Sequence, residues 1–408
     1  MPNSHRGALT GAVIGAGPAG LMAADAMARA GLQVMVFERM PSAGRKFLMA
    51  GRGGLNLTHS EPVETFLTRY GDAPGGLEQA VRQFPPDALR AWADAHGEDT
   101  FVGSSGRVFP KSFKSSPLLR AWLRQLDGLG VVLKTRKLWT GWTGDGELSF
   151  SDGSVENFDV CVLALGGASW PRLGADGNWV PVLVDKGIEI TPLVASNAGV
   201  TCDWSQTTIA RHAGAPLKRI AATLAGRTVR GEAMISRTGL EGGAIYALSR
   251  ELRAGLATSD WCSVTLDLRP DLDVTQLAAR LAKVPRKQSL SNRLRKGAGL
   301  SPQAISVWRD CVQGRTFATE EALADSIKAV EVRVTGLQPI GRAISTAGGI
   351  AADQVDARFM LKQLPGVFVC GEMLDWDAPT GGYLLQACFA TGRAAGEGAA
   401  EFAHQTLD

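Results

Sequence analysis

The feature that most narrows the possible folds is Gly15-Ala16-Gly17-Pro18-Ala19-Gly20, set between an apolar run and an amphipathic one. Ala12 to Gly15 reads as a strand, Leu21 to Ala30 as a helix and Gln33 to Glu38 as a second strand, so the glycines occupy the turn of a βαβ unit. There Gly15 permits the tight turn, Gly17 lets a pyrophosphate approach the backbone and Gly20 lets the helix lie close on the strand. Pro18 and Ala19 open that helix, whose N-terminal N–H groups are phosphate donors. Glu38 ends the second strand, where a carboxylate accepts from both ribose hydroxyls. A dinucleotide-binding α/β domain is expected. The same glycines, with Asp25, break the apolar stretch from Ala8 to Ala28 into two elements and argue against a membrane span or signal segment.

A chain of 408 residues has room for two or three packed units, and 45% hydrophobic with 20% charged residues is ordinary globular composition. The 49 glycines, spread along the chain, fit many tight turns where backbone meets a ligand. Net charge is only +3, too small to make the whole molecule a polyanion binder. The cations are unevenly placed, however: Arg107, Lys111, Lys114, Arg120 and Arg124 occur without an acid between 103 and 124. Eight more, set against Asp271 and Asp273, fall between 269 and 296. Six scattered cysteines without a C-x-x-C pair, and five histidines without metal-ligand spacing, point to a reducing cytoplasm and to no metal site.

The single N-terminal fingerprint leaves open whether the nucleotide is NAD or FAD, and three features favour FAD. No second fingerprint occurs. Gly44-Arg45-Lys46 and the run Gly51 to Asn56, with Gly53 and Gly54, place cations and bare backbone after the ribose strand, where a longer cofactor continues. Near the C-terminus, Val369 to Asp375, with Gly371 and Glu372, followed by Thr380-Gly381-Gly382-Tyr383 and Leu384, reads as strand, acidic turn and glycine-opened helix. That helix N-terminus can face the electron-rich edge of an isoalloxazine, with Asp375 accepting from the ribityl chain. Between these ends, residues 195 to 268 alternate as short antiparallel strands, and 273 to 330 take helical spacing.

With GAGPAG at 15–20, GRKFLMAGRGGLNLTH at 44–59, GRVFPKS at 106–112, LALGGASWPRLGADG at 163–177 and GVFVCGEMLDWDAPTGGYLLQACFATGRAAG at 366–396, the chain resembles the BaiN/YhiN-like flavoproteins, the aminoacetone oxidase family, over nearly its whole length. The resemblance implies a Rossmann-like FAD-binding domain built from both chain ends, with an inserted β-rich domain and a small helical subdomain. The expected segments are 1–193 and 334–408 for FAD, 194–270 for the β-rich insertion and 271–333 for the helices. It also implies that Gly15, Gly17, Gly20, Glu38, Arg39, Arg45, Lys46, Gly53, Gly54, Asn56, Gly371, Asp375, Gly382, Tyr383 and Leu384 contact or frame FAD. Two stretches depart from the family pattern: Ala50 to His59 lacks the usual cysteine, and Ser236 to Gly243 replaces a T-H-x-G-x-S-G-P loop. The second departure makes Arg237 and Glu241 the candidate catalytic residues, against the alternative of a surface i,i+4 pair.

The absence of cysteine from residues 40–60 argues against a disulfide reductase. The expected activity is that of an FAD-dependent oxidoreductase. Its expected form is NAD(P)H-dependent reduction of an activated C=C bond in a small molecule held between FAD domain and insertion, with NAD(P)H a transient reductant. The alternatives are oxygen-dependent amine oxidation, and modification or binding of RNA through the cations of Pro285 to Ser289 and Arg293 to Lys296, read as a turn and an adjoining helix start.

Overall fold

A computed structural model of the chain describes residues 8–71, 73 and 75–406. Asp72 and Pro74, within the turn expected from Gly71 to Gly76, lie outside the described residues, as do the first seven and last two residues of the expected FAD segments.

The chain divides into two units, one of residues 1–194 and 345–408 and the other of 195–344. In the first, five parallel strands stand in the order Val367–Val369, Val160–Leu163, Thr10–Ile14, Gln33–Glu38 and Val132–Thr135. The opening strand is therefore central, with Val13 opposite Val162 on one side and Val36 on the other. Ala12, Val13, Val36, Val162 and Leu163 are fully buried, as strands covered on both faces require. The Pro18–Arg29 helix follows the glycine turn and packs on the closing Tyr383–Gln405 helix. Their approach depends on small residues: a Cβ at Gly392 would stand 2.2 Å from the Ala19 carbonyl oxygen, and one at Gly396 2.5 Å from that of Ala23.

The second unit is a closed six-stranded barrel in the order Val200–Cys202, Gly239–Glu241, Arg227–Ile235, Pro216–Leu224, Cys262–Asp267 and Val330–Leu337, antiparallel throughout. Closure leaves it no sheet edge. The helices Val274–Ala282, Leu290–Lys296, Pro302–Val312 and Glu320–Lys328 form an excursion between two neighbouring strands of this barrel. Leu277, Leu294, Trp308 and Ile327 share one hydrophobic core with Val264, Leu266 and Val332.

The α/β class, with a Rossmann-like domain drawn from both chain ends and an inserted β-rich region, is as expected. The boundaries differ. The expected division at 333/334 cuts the strand Val330–Leu337, whose pairing with Cys262–Asp267 completes the barrel. The segments 194–270 and 271–333 are not separate bodies, because the helices bury their apolar faces on the barrel.

Candidate functional site

A cleft opens at the carboxyl ends of the parallel strands, where Ile14, Glu38, Ala164 and Cys370 meet. Its floor is the glycine turn. Gly15 adopts φ +107°, and a Cβ there would lie 2.3 Å from the Ala164 carbonyl oxygen; a Cβ on Gly20 would lie 1.9 Å from that of Gly15. Gly17 differs, since a Cβ there would meet nothing within 4 Å, so its backbone faces open space. Gly17 also caps the helix without a side-chain hydrogen bond, and Pro18 has no N–H, so the helix dipole at this end is left for a ligand.

Glu38 is only 9% exposed. Its Oε2 accepts from the Ala16 N–H at 3.0 Å and its Oε1 from the Met40 N–H at 2.8 Å. Burial raises the carboxyl above the usual range, opposed by these two amides and by the charges of Arg39 and Arg45. Arg39 is itself held by Asp176. Lys46 Nζ reaches Glu372 Oε2 and Ser169 Oγ, each at 2.6 Å, and so ties the segment after Gly44 to the turn at Gly371.

Of the expected cofactor residues, Gly15, Gly17, Pro18, Ala19, Glu38, Arg39, Gly44, Arg45, Lys46, Gly371 and Glu372 line this cleft, while Gly20 lies behind it. The others gather elsewhere in the same unit. Asn56 donates to the carbonyls of Thr58 at 2.8 Å and Val108 at 3.2 Å; Gly54, at φ +104°, faces Phe113. Gly382, at φ +98°, comes so close to Thr58 that a Cβ would stand 2.5 Å from its backbone. The Tyr383 hydroxyl donates to Glu61 Oε1 at 2.7 Å, and Arg69 donates to both oxygens of the same carboxylate. Asp375 donates its N–H to the Ile350 carbonyl at 3.0 Å, Leu384 is half-buried, and Gly53 has open space on its Cβ side. The closing helix joins the two groups: Tyr383 sits at its start and Cys388, about 7.5 Å farther along its axis, lines the cleft.

Buried polar atoms without partners mark where a cofactor fits. Arg45 Nε at the cleft and Asn56 Oδ1 at the second group are a buried donor and a buried acceptor, neither satisfied by protein. Together with the open face of Gly17 and the helix started without a side-chain cap at Gly382, they suit an elongated dinucleotide with polar groups along its length.

Sequence reasoning missed several lining residues. Ala164 to Gly166 and Gly174 carry a signal, glycines just beyond an apolar parallel strand; the left-handed Trp170 opens the short turn that delivers Leu173 and Gly174. Lys137, Leu138 and Trp139 carry none. Cys370 and Cys388 also line the cleft; both are free, and burial pushes their thiols well up. Trp376 is buried with its indole N–H on the Gly371 carbonyl at 2.8 Å. His59 accepts at Nδ1 from the Glu61 N–H, faces the Ser105 carbonyl through Nε2 at 3.0 Å and stacks on Tyr383.

Arg237 and Glu241 are not a helical pair. They lie on a β-hairpin whose turn is closed by the Ser236 N–H on the Gly239 carbonyl at 2.8 Å. Arg237 is exposed at the turn, while Glu241, half-buried in the strand, accepts from Gln338 Nε2 at 3.0 Å. The expected RNA patch also changes. Arg286 and Arg293 both pair with Glu320, and Arg293 to Lys296 form the last turn of a helix rather than its start, where cations complement the helix dipole.

Among the described residues no helix is long and apolar enough to cross a membrane, and no three metal-ligating side chains gather as a metal site. Residues 10–398 match the family described as "HI0933-like protein Rossmann domain". The chain is similar to the 3-dehydro-bile acid delta(4,6)-reductase of Clostridium scindens, 26% identical over 95% of this chain and 98% of the relative. It is also similar to the ribosomal RNA dihydrouridine synthase of Escherichia coli, 23% identical over 92% and 94%. A solved 3-ketosteroid delta1-dehydrogenase from Sterolibacterium denitrificans, in complex with 1,4-androstadiene-3,17-dione, matches 96% of the chain and 99% of its own length at TM-score 0.50 and 12% identity, a likeness of fold. With the family matched from the opening strand to the closing helix around a cleft built for a dinucleotide, the chain belongs to the HI0933-like Rossmann family of FAD-dependent oxidoreductases.

Proposed function

We propose that the protein reduces a ring C=C bond conjugated to a carbonyl, with NAD(P)H as the transient reductant. The observation that carries this reading is that two relatives spanning more than nine-tenths of the chain bear names that both denote saturation of such a bond, one in a 3-oxo steroid skeleton and one in uracil. FAD, when bound, supplies hydride chemistry, accepting two electrons from a nicotinamide and passing them to an electron-poor carbon.

In this reading the chain's residues divide the work. The helix opened by Pro18 and Ala19 and the bare backbone at Gly17 take the pyrophosphate, Glu38 the adenosine ribose, and Arg45 a phosphate through its unsatisfied Nε. Lys46, Glu372 and Gly371 hold the C-terminal turn against the cofactor. Asn56, with Gly53 and Gly54, and Asp375, Gly382, Tyr383 and Leu384 frame its far end. Arg237 and Glu241 act on substrate: an exposed guanidinium polarises a carbonyl, and a carboxylate steadied by Gln338 holds or moves a proton.

The uracil of an RNA is a second substrate class, favoured by the dihydrouridine synthase relative, and a small conjugated ketone is the first. Steady-state oxidation of NADH or NADPH in the presence of a 3-oxo-4-ene steroid or a uridine-containing RNA tests the reading. Acceptor-dependent nicotinamide oxidation is expected; peroxide release from primary amines without any such turnover would replace it by amine oxidation.

A further inference from the structure

The barrel unit carries a charged groove of its own, built where three segments converge. One wall is the strand Pro216–Leu224. Its pairing with Arg227–Ile235 runs from Leu217 opposite Ala233 to Ile220 opposite Gly231, so Lys218 and Arg219 together face the single residue Glu232. That is a β-bulge. Strand alternation would send one of two successive side chains inward, yet Lys218 and Arg219 are both exposed and both line the groove. Arg219, within the bulge, holds φ +54°, a left-handed backbone uncommon in a residue other than glycine.

The second wall brings Arg269, from the end of the strand Cys262–Asp267, half-buried, with Nη1 donating to the Gly299 carbonyl at 3.1 Å. Burial and the neighbouring charges of Arg280 and Arg219 pull the Arg269 pKa below its usual value, the mark of a cation in a positive field. Two acids oppose this field in part: Asp267, which is taken by Lys328, and Asp271, which also lines the groove and lies 3.6 Å from Arg230. Glu232 makes no ion pair with Lys218 or Arg219, and neither of those cations, nor Arg280, has a carboxylate partner among the described residues.

We propose that this groove is a phosphate-binding site in which Lys218, Arg219 and Arg269 hold a phosphoryl oxyanion. Three cations converging on one groove, with a strand distorted to turn two of them outward together, is the arrangement oxyanion recognition requires. The same chemistry is offered by a small phosphorylated compound and by the backbone of an RNA. The site stands independently of the reductase reading.

Titration of the FAD-loaded protein at low ionic strength with inorganic phosphate, and separately with a labelled oligouridylate, tests it and separates the two sources. The altered protein is Lys218→Gln with Arg219→Gly, since glycine accepts the left-handed backbone and keeps the bulge; thermal melting checks the fold, and flavin content checks the other unit. If the source is RNA, oligouridylate binds with log affinity falling by about 0.7 per phosphate contact against log salt, about 2 in all, and the double variant loses about 1.4 of that slope. Phosphate binding that the variant weakens at least about tenfold, without oligouridylate binding, assigns the groove to a small phosphorylated ligand. Absence of both, or equal binding by the variant, overturns the proposal whatever the fate of the reductase assay.

Discussion

The dinucleotide-binding unit and the barrel unit present their polar groups in opposite ways. In the first, the cleft floor is backbone: Gly15 and Gly20 are required by carbonyl oxygens 2.3 and 1.9 Å from where a Cβ would stand, and Gly17 leaves its amide face open. In the second, the polar groups are side chains carried on strand irregularities, a hairpin turn at Arg237 and a bulge at Lys218 and Arg219. A backbone grip is tolerant of everything except the glycines that make it. A side-chain surface leaves the fold intact when it changes.

The largest effect expected from a single change is at Gly20. Gly20→Ala drives a methyl into backbone, which cannot yield as a side-chain tip would, and apoprotein stability is expected to fall by about 3 kcal/mol in denaturant titration. An unchanged midpoint would mean the helix does not lie on the glycine turn as described. Glu38→Ala comes next. Loss of a charge-assisted ribose contact is expected to weaken FAD by about 1–3 kcal/mol, with some loss of stability because the Ala16 and Met40 amides lose their acceptor. Titration of apoprotein with FAD reads the first, and unchanged affinity would remove Glu38 from the ribose site.

Gly17→Ala sharpens the contrast with Gly20. Its φ of −82° suits alanine and its Cβ has room, so the melting temperature should hold while FAD affinity falls by about 1–2 kcal/mol, as a methyl enters the space left for phosphate. Equal losses of stability and affinity would erase the distinction between packing glycine and binding glycine. In the barrel unit, Arg237→Gln and Glu241→Gln should each lower kcat/KM by about 1 kcal/mol equivalent while flavin content stays full. Unchanged kinetics in both would make the hairpin a surface feature.

The same contrast explains what could be read from the chain before its structure. Gly15 to Gly20, Glu38 and the glycine turn at 381–382 act through local backbone geometry, and local geometry leaves a local pattern. Lys137 and Leu138 reach the cleft just before a separate small sheet and Trp139 from its first residue, with no neighbouring motif to mark them. Arg237 and Glu241 have a spacing that serves a helix or a hairpin equally, and pairing with Met234 and Ile235 decides for the hairpin. The expected boundary at 333/334 cuts the strand Val330–Leu337, whose partner Cys262–Asp267 lies some sixty residues upstream, beyond four helices. Arg286 and Arg293 stand in a basic stretch of sequence, and their partner Glu320 lies 34 and 27 residues away.

The central claim, a flavin reductase for conjugated C=C bonds, is tested most directly by the two half-reactions measured separately without oxygen. NADH or NADPH should bleach the visible flavin absorbance, and a conjugated enone or uridine-containing RNA added afterwards should restore it with formation of the saturated product. Flavin that nicotinamide does not reduce, or that stays reduced in the presence of every such acceptor and reoxidises only when oxygen is admitted, would contradict the account.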